Sequence, residues 1–464
     1  MDVAAALAGA RPSVLWLDDP TRPAPLEPFR GQVTTDLAVV GGGYTGLWTA
    51  LRAKERYPEL DVHLVEAGDC GWQASGRNGG FCAASLTHGF FNGRERWPDE
   101  LAELDRLGAA NLDAIEATVA EHGIDCHFER TGALDVATRP HQVEELAEGA
   151  AEMREAGYDV ELLDAAATRR LVDSPTYLAG LVDREGTALV EPARLAWGLR
   201  QACLDRGVVI HEQTLVRDLS DDGKHLELST DTGTLRARWV ALATNAFPPL
   251  LRRLRLYTVP VYDHVLATEP LTDEQMAAVG WTGREGVGDS ANLFHYYRLT
   301  RDNRIVWGGY DAVYHYGSKI APALEQNDRT HELLARHFFE TFPQLEDVRF
   351  SHRWGGVIDT CTRFSAFFGT AYAGRVAYAL GYTGLGVGAT RFGADVMLDL
   401  LQGEDTERTR LEMVRERPLP FPPEPARAIG INLTRWSLGR ADDRAGRRNL
   451  WLRTLDRMGL GFDS

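Results

Sequence analysis

Residues 36–46 read DLAVVGGGYTG, and Glu66 stands twenty positions past the last of these glycines. Asp36 to Val40 is a short apolar strand that runs into three spaced glycines, Gly41, Gly43 and Gly46. The pattern predicts a helix over Leu47 to Tyr57 and a second apolar strand, Val62 to Val65, ending at Glu66. A strand, a glycine turn, a helix and a strand closing on an acid form the fingerprint of a dinucleotide site. Gly41 permits the tight turn, Gly43 leaves room for a pyrophosphate, and Gly46 lets helix and strand pack closely. Glu66 is placed to accept hydrogen bonds from a ribose diol. The helix N-terminus offers free N–H groups and partial positive charge to the phosphates.

A second glycine-rich turn, GYTGLGVGATRFGADVMLDLL (381–401), begins 340 residues past Gly41 and also feeds a helix. One phosphate loop suffices for one βαβ unit. A second loop and helix suit a cofactor with another anionic end, as in reduced flavin, although a tight helix start in a packed core would look the same. ASGRNGGF (74–81) lies just past Glu66 and brings glycines, a hydroxyl, an amide and Arg77 toward the phosphates. Alone it reads equally as a surface turn. Beside the other two it reads as a loop covering the cofactor.

The whole chain of 464 residues has room for two or three domains. A net charge of −17 disfavours a nucleic-acid partner, which requires a basic face. Lysine occurs only at 54, 224 and 319. Cys70, Cys82, Cys126, Cys203 and Cys361 have no metal-ligand spacing and suggest free thiols in a reducing compartment. The N-terminus makes a poor signal peptide and no apolar run reaches about 20 residues, so the expected setting is cytoplasmic, away from membranes.

Residues 1–34 read as an extended, proline-rich arm. Residues 98–123 and 141–172 read as amphipathic helices around a strand at 132–137, and Pro192 opens a helix over 192–206. Strands are expected at 208–219, 226–230, 238–247, 262–271, 294–300 and 304–310. The last three suggest a mixed or antiparallel sheet separate from the nucleotide unit. After the PLPFPPEP linker (418–425) comes a tail. Residues 415–464 hold ten arginines against six acids. This tail is expected to fold onto the acidic body or a neighbouring subunit, with Trp436 and Trp451 as apolar anchors.

In order, GGGYTG, VEA, SGRNGG, ALATNAF, WGG and GYTGLGVG resemble the D-amino-acid oxidase and glycine oxidase superfamily of FAD amine oxidoreductases. The SGRNGG loop and the HYYRL and WGGY strands are most similar to its gamma-glutamylputrescine oxidoreductase branch. The resemblance spans roughly residues 30–402. It implies an α/β chain, α+β overall, with a Rossmann-like FAD-binding domain (35–95, 185–255, 350–410) interleaved with a substrate domain (96–184, 256–349). The arm is 1–34 and the tail 411–464. It places Gly41, Gly43, Tyr44, Thr45 and Gly46 at the pyrophosphate, with Glu66 and Ala67 at the ribose. Ser75, Gly76, Arg77, Asn78, Gly79 and Gly80 fall near the phosphates and ring. Val216 falls at the adenine, and Ala243 and Thr244 by the pyrophosphate. Gly384, Leu385, Gly386 and Val387 lie at the flavin pyrimidine. Leu385 stands where the branch often carries histidine.

The resemblance implies oxidation of a carbon–nitrogen bond in an amine or amino acid by hydride transfer to flavin, with dioxygen or another electron acceptor and a monomer or homodimer. Tyr262, His264, His295, Tyr296, Tyr297 and Trp354 are candidates for an aromatic wall, Asp263 and Arg298 for charge, and Tyr382 for a group beside the flavin loop. Ordinary core packing of alternate strand residues is the competing reading. Cys361 is expected not to bind flavin covalently. Lys319 is expected to lie outside the site, leaving Arg77, Arg298 or His264 as cations for dioxygen. An NAD-type dehydrogenase, a flavin monooxygenase or a non-catalytic flavin-bearing or RNA-binding subunit are the alternatives.

Overall fold

The strand that opens the dinucleotide motif runs Gly31–Val40 and is the centre of a parallel sheet. The computed structural model of the protein describes residues 2–460. Gly31–Val40 pairs in parallel with Val62–Val65 on one side and Gly233–Leu242 on the other. Val209–His211 and Val376–Leu380 extend the parallel sheet outward. Phe367–Ala371 closes one edge in the antiparallel sense. Leu37 to Val40 are buried without a break, as befits a parallel strand covered on both faces. Helices Tyr44–Arg56 and Gly386–Gln402 pack on one face, with Leu47, Leu51, Val396 and Leu398 buried among them. The hairpin of Val216–Asp221 and Leu226–Thr230 joins Phe29 and Tyr378 over the other.

The second sheet is mostly antiparallel. Its strands lie in the order Phe350–Thr360, Val259–Thr268, Ile305–Gly309, His295–Leu299, Gly286–Asp289, Ala133–Ala137, Ala179–Asp183 and Val160–Asp164. Only the Gly286–Asp289 and Ala133–Ala137 pair is parallel. One face is sealed by helix Asp328–Thr341, whose Phe338, with the capping Phe342 that follows it, packs against Tyr297 and Trp307. The other faces the first sheet across a cavity. The chain enters each sheet more than once, so the two cores are interleaved along the sequence.

Several expected elements differ in extent. The stretch 141–172 is not one helix. It ends as Pro140–Glu155, continues as strand Val160–Asp164, and resumes as helix Ala165–Leu171. Gly157, at φ +95°, stops the first helix, and the strand finds a partner in Ala179–Asp183. Strand 208–219 breaks into Val209–His211 and Val216–Asp221 around Gln213, at φ +51°. The strand expected at 238–247 lies earlier, at Gly233–Leu242. Ala74–Arg77 forms one helical turn within the expected loop. Strand Phe350–Thr360, put with the nucleotide unit by a boundary at 350, pairs along its length with Val259–Thr268 of the second sheet.

The N-terminal arm is docked rather than free. Trp16 is buried and its indole donates to the Asn78 carbonyl at 2.9 Å. The tail also folds back on its own chain, through helix Ala426–Asp442. Arg435 meets Asp311 at 3.1 Å, as its charge suggests. Acids of the tail do as much. Asp442 accepts from the Asn292 and Leu293 backbone, and Glu424 from Tyr314 and Gly317. Trp451 packs near Leu293, whereas Trp436 is 56% exposed and its ring meets Arg440 of its own helix. Residues 461–464 of the tail lie outside the described residues.

Candidate active site

Both glycine motifs open onto one cavity of about 1890 Å³ between the sheets. This is larger than the roughly 300–1,000 Å³ typical of a single small ligand and leaves room for a dinucleotide and a substrate together. Gly41 is at φ +112°, and a Cβ there would lie 2.4 Å from the Ala243 carbonyl oxygen. No L side chain fits that turn. At Gly43 a Cβ would lie 2.9 Å from the Ser75 hydroxyl, which accepts from the Tyr44 N–H at 2.9 Å. Glu66 ends its strand at the cavity edge. Its carboxylate accepts from the Gly42 and Gly68 N–H groups and the Trp72 indole. Burial raises its pKa, and these donors oppose the shift.

An ionic clamp holds the two motif helices side by side. Arg56 bridges Asp395 at 2.8 Å and Asp399 at 2.6 Å, and Arg52 reaches Asp395 at 3.0 Å. Burial alone would raise the Asp395 pKa, but the surrounding arginines hold it low. The clamp keeps both helix N-termini aimed at one cavity, which neither motif could specify alone.

The 74–81 segment bridges the sheets. Arg77 donates to the Trp72 carbonyl and pairs with Glu325 at 2.6 Å. Trp354 donates its indole N–H to the Arg77 carbonyl at 2.9 Å. Asn78 accepts from the Gly80 N–H and donates to the Ala74 carbonyl.

Of the expected cofactor residues, Gly41, Gly43, Tyr44, Thr45, Glu66, Ala67, Ser75, Arg77, Asn78, Gly79, Val216, Ala243, Thr244, Gly384, Leu385, Gly386 and Val387 line the cavity. Gly46, Gly76 and Gly80 serve packing instead. A Cβ would lie 1.8 Å from the Gly41 carbonyl, 2.1 Å from the Gly71 carbonyl and 2.2 Å from the Val190 carbonyl, respectively.

Of the expected catalytic side chains, Tyr262 and Tyr382 line the cavity, as do Asp263 and Tyr296. The Tyr382 hydroxyl is directed back at Gly393, so the ring rather than the hydroxyl faces the space. His264, His295, Tyr297, Arg298 and Trp354 do not line it. Strand alternation turns His295 and Tyr297 to the far face, where His295 binds Asp289 and His337 and Tyr297 binds Tyr177. His264 is fully buried against His331, and burial pushes its pKa down to about 4, so it is no cation. Arg298 is locked on the Val190 carbonyl at 2.6 Å. Of the three cations considered for dioxygen, only Arg77 reaches the cavity. Lys319 is exposed and does not line it.

Sequence reasoning missed three parts of the wall. Asp359 accepts from the Gly381 N–H under the second glycine motif, and burial raises its pKa to about 7. Asp135, within a strand correctly expected, projects into the cavity. The tail supplies Ile431, Leu438, Trp451 and Leu455 as an outer wall. Alternation of Leu134, Asp135 and Val136 was the available signal for Asp135. The tail carried none, because nothing local says which surface it covers.

With this geometry in hand, comparison with known proteins is decisive. The family model described as DAO, FAD dependent oxidoreductase, matches residues 36–400. The chain belongs to that family. It is 32% identical over 400 residues to gamma-glutamylputrescine oxidoreductase of Escherichia coli (strain K12), covering 83% of this chain and 87% of the relative. It is 28% identical over 382 residues to the probable oxidoreductase OrdL of Haemophilus influenzae, covering 80% and 83%. The fold matches the crystal structure of glycine oxidase from Geobacillus kaustophilus with a TM-score of 0.69 at 20% identity, over 83% of this chain and 99% of that one.

The protein is therefore an FAD-dependent oxidoreductase, and its residues fit the cofactor. The bare Gly41–Gly43 turn and the Glu66 carboxylate suit the dinucleotide half, and the loop at Gly384–Val387 suits a second anionic end. Among the described residues no helix is long and apolar enough to cross a membrane.

Proposed function

We propose that this FAD-dependent oxidoreductase oxidises a carbon–nitrogen bond in a small amine or amino acid. The chemistry that FAD supplies when bound is acceptance of a hydride from the carbon beside nitrogen; the resulting imine hydrolyses to a carbonyl compound and an amine. One observation carries the reading: the cavity joins a glycine-built cofactor wall to a second-sheet wall of aromatic and apolar groups. Such a wall excludes water until the hydride has moved and favours an uncharged amine, whose lone pair assists the transfer. The relatives' names, gamma-glutamylputrescine oxidoreductase and glycine oxidase, agree with this class of substrate.

The residues of this chain bind, orient and shield. Gly41, Gly43, Ser75 and Glu66 hold the dinucleotide, and Arg77 lies where the two sheets meet. Tyr296 donates to Asp263, whose pKa burial raises to about 6, and the pair presents a fixed polar point on the second sheet. FAD is held without a covalent bond. The Cys361 thiol is buried, donates to the Ser365 carbonyl at 3.1 Å, and has its pKa raised by burial, so it is a poor nucleophile.

The test is anaerobic mixing of the yellow holoenzyme with a panel of amines and amino acids. Bleaching of the flavin bands by members of the panel is expected. A flavin that none of them reduces, but that a reduced nicotinamide does, would overturn the reading in favour of a nicotinamide-linked enzyme.

A further inference from the structure

We propose that the helix pair of the tail is a specificity-determining roof over the cavity, and that its underside takes an apolar group of the substrate remote from the oxidised carbon–nitrogen bond. The proposal rests on the amine-oxidation reading above and adds what the far end of the substrate carries.

Helices Ala426–Asp442 and Leu450–Arg457 lie past residue 400, where the match to the family ends. They bury Leu438, Ala441 and Leu452 in a small core of their own, apart from the cores of the two sheets. The pair is fastened to the body around the cavity rim. Arg427 donates to the Ser318 hydroxyl at 2.8 Å, and Arg435 pairs with Asp311 at 3.1 Å. Asp442 accepts from the Asn292 and Leu293 N–H groups. A Cβ on Gly446, in the turn between the helices, would lie 2.9 Å from Glu145 Oε1, so that turn sits close on helix Pro140–Glu155. Arg96 donates to the Gly459 carbonyl at 2.9 Å. An element tied down along successive parts of a rim covers the opening between them.

In helix Ala426–Asp442 the residues that line the cavity are Arg427, Gly430, Ile431, Thr434, Arg435 and Leu438, spaced by three and four and so on one face. The polar members of that face are already engaged. Arg427 and Arg435 hold the rim, while Thr434 donates to the Gly430 carbonyl and accepts from the Trp451 indole. What remains for a ligand is apolar: Ile431, and Leu455 from the second helix, neither of which belongs to the pair's own core. Beside Ile431, a Cβ on Gly430 would meet nothing within 4 Å, so there is open space under the helix at that point. An alkyl or aryl group fits such a place, and each methylene buried there should tighten binding by up to about fourfold.

The test is binding of n-alkylamines from propylamine to octylamine to the FAD-loaded enzyme. Affinity is read from the absorbance change of oxidised flavin on rapid anaerobic mixing, before any reduction. Wild type is expected to bind octylamine tenfold or more tighter than propylamine. Gly430→Leu fills the space, and Ile431→Ser combined with Leu455→Ser strips the apolar surface. Each should weaken octylamine binding tenfold or more and leave propylamine within twofold. Trp436→Ser, on the outer side of the same helix, should change neither. Flavin content and melting temperature establish folding. Should the double variant fail to fold, Gly430→Leu decides alone, since leucine is the better helix former. No tightening with length in wild type, a tightening that survives in a folded variant, or equal losses for short and long amines overturns the proposal. Length discrimination without flavin reduction by any amine would sink the amine-oxidation reading and leave the roof standing. Flavin reduction without length discrimination would do the reverse.

Discussion

The two walls of the cavity are built on opposite principles. On the first-sheet wall the polar groups around the dinucleotide turn have partners within the chain: Glu66 has three donors, Ser75 caps the helix that starts at Tyr44, and Asn78 ties its own loop. On the second-sheet wall Asp263 is partnered but Asp135 is not. A cofactor that stays bound can be met by a preorganised cradle. Asp135 instead faces the open cavity, where solvent reaches it.

The strongest attack on the first wall is Gly43→Val. A branched side chain there runs into Ser75 and occupies the pyrophosphate approach, so FAD binding should be lost from a folded protein. Flavin absorbance after gel filtration measures it, and full occupancy in the folded variant would refute the cradle.

Next in size is Arg56→Met. It takes one of two arginines from the fully buried Asp399, which keeps Arg408 and Thr406, and one of three from Asp395, so the loss is that of charge-assisted hydrogen bonds, about 1.5–3 kcal/mol. Denaturant unfolding of the holoenzyme should show that loss. An unchanged midpoint would mean the helices are held together by packing alone.

Glu66→Ala should weaken FAD binding by about 1–3 kcal/mol, or roughly tenfold to a hundredfold in Kd, the cost of a charge-assisted hydrogen bond. Flavin titration of apoprotein reads it directly.

The second wall should respond in stability with the opposite sign. Asp135 is exposed to the cavity, yet desolvation by the surrounding walls, together with Asp183 and Asp289, raises its pKa from 3.8 to about 6 in the fold. The folded state therefore holds a proton that the unfolded state releases between pH 4 and 6, and wild type loses stability as pH rises through that window. Asp135→Asn should melt higher than wild type above pH 6, with the gap closing toward pH 4. Melting curves that stay parallel across that range would show that Asp135 is well solvated. The smallest effect is Lys319→Met. This exposed residue should leave stopped-flow reoxidation of reduced enzyme within about twofold of wild type, and a hundredfold slowing would make it the cation that serves dioxygen.

The Gly41–Gly46 turn, its flanking strands and Glu66 were legible because a phosphate loop is local. Its glycines, strand and helix lie within thirty residues, and each residue type has a steric reason for its place. The same held for four strands of the second sheet, Ala133–Ala137, Val259–Thr268, His295–Leu299 and Ile305–Gly309, where apolar alternation marks the element; Ala179–Asp183, Gly286–Asp289 and Phe350–Thr360 carried no such signal. It did not mark the face. His295, Tyr297 and Arg298 looked like an active-site wall, yet the direction of each side chain depends on which neighbour lies above and below the sheet. Helix 141–172 failed for a related reason: its leucine spacing suited a helix until a partner strand claimed Val160–Asp164.

From sequence alone came the dinucleotide fold, the two glycine motifs and the presence of a second, mixed or antiparallel sheet, because these rest on interactions between near neighbours in the chain. Tertiary structure alone decided that the two glycine motifs share one cavity, that Arg52 and Arg56 clamp their helices together, that the tail forms an outer wall, and that Asp135 is left without a partner. Those are contacts between residues tens to hundreds of positions apart. No local rule of sterics or polarity reaches that far; only the packing of the whole chain determines which groups meet.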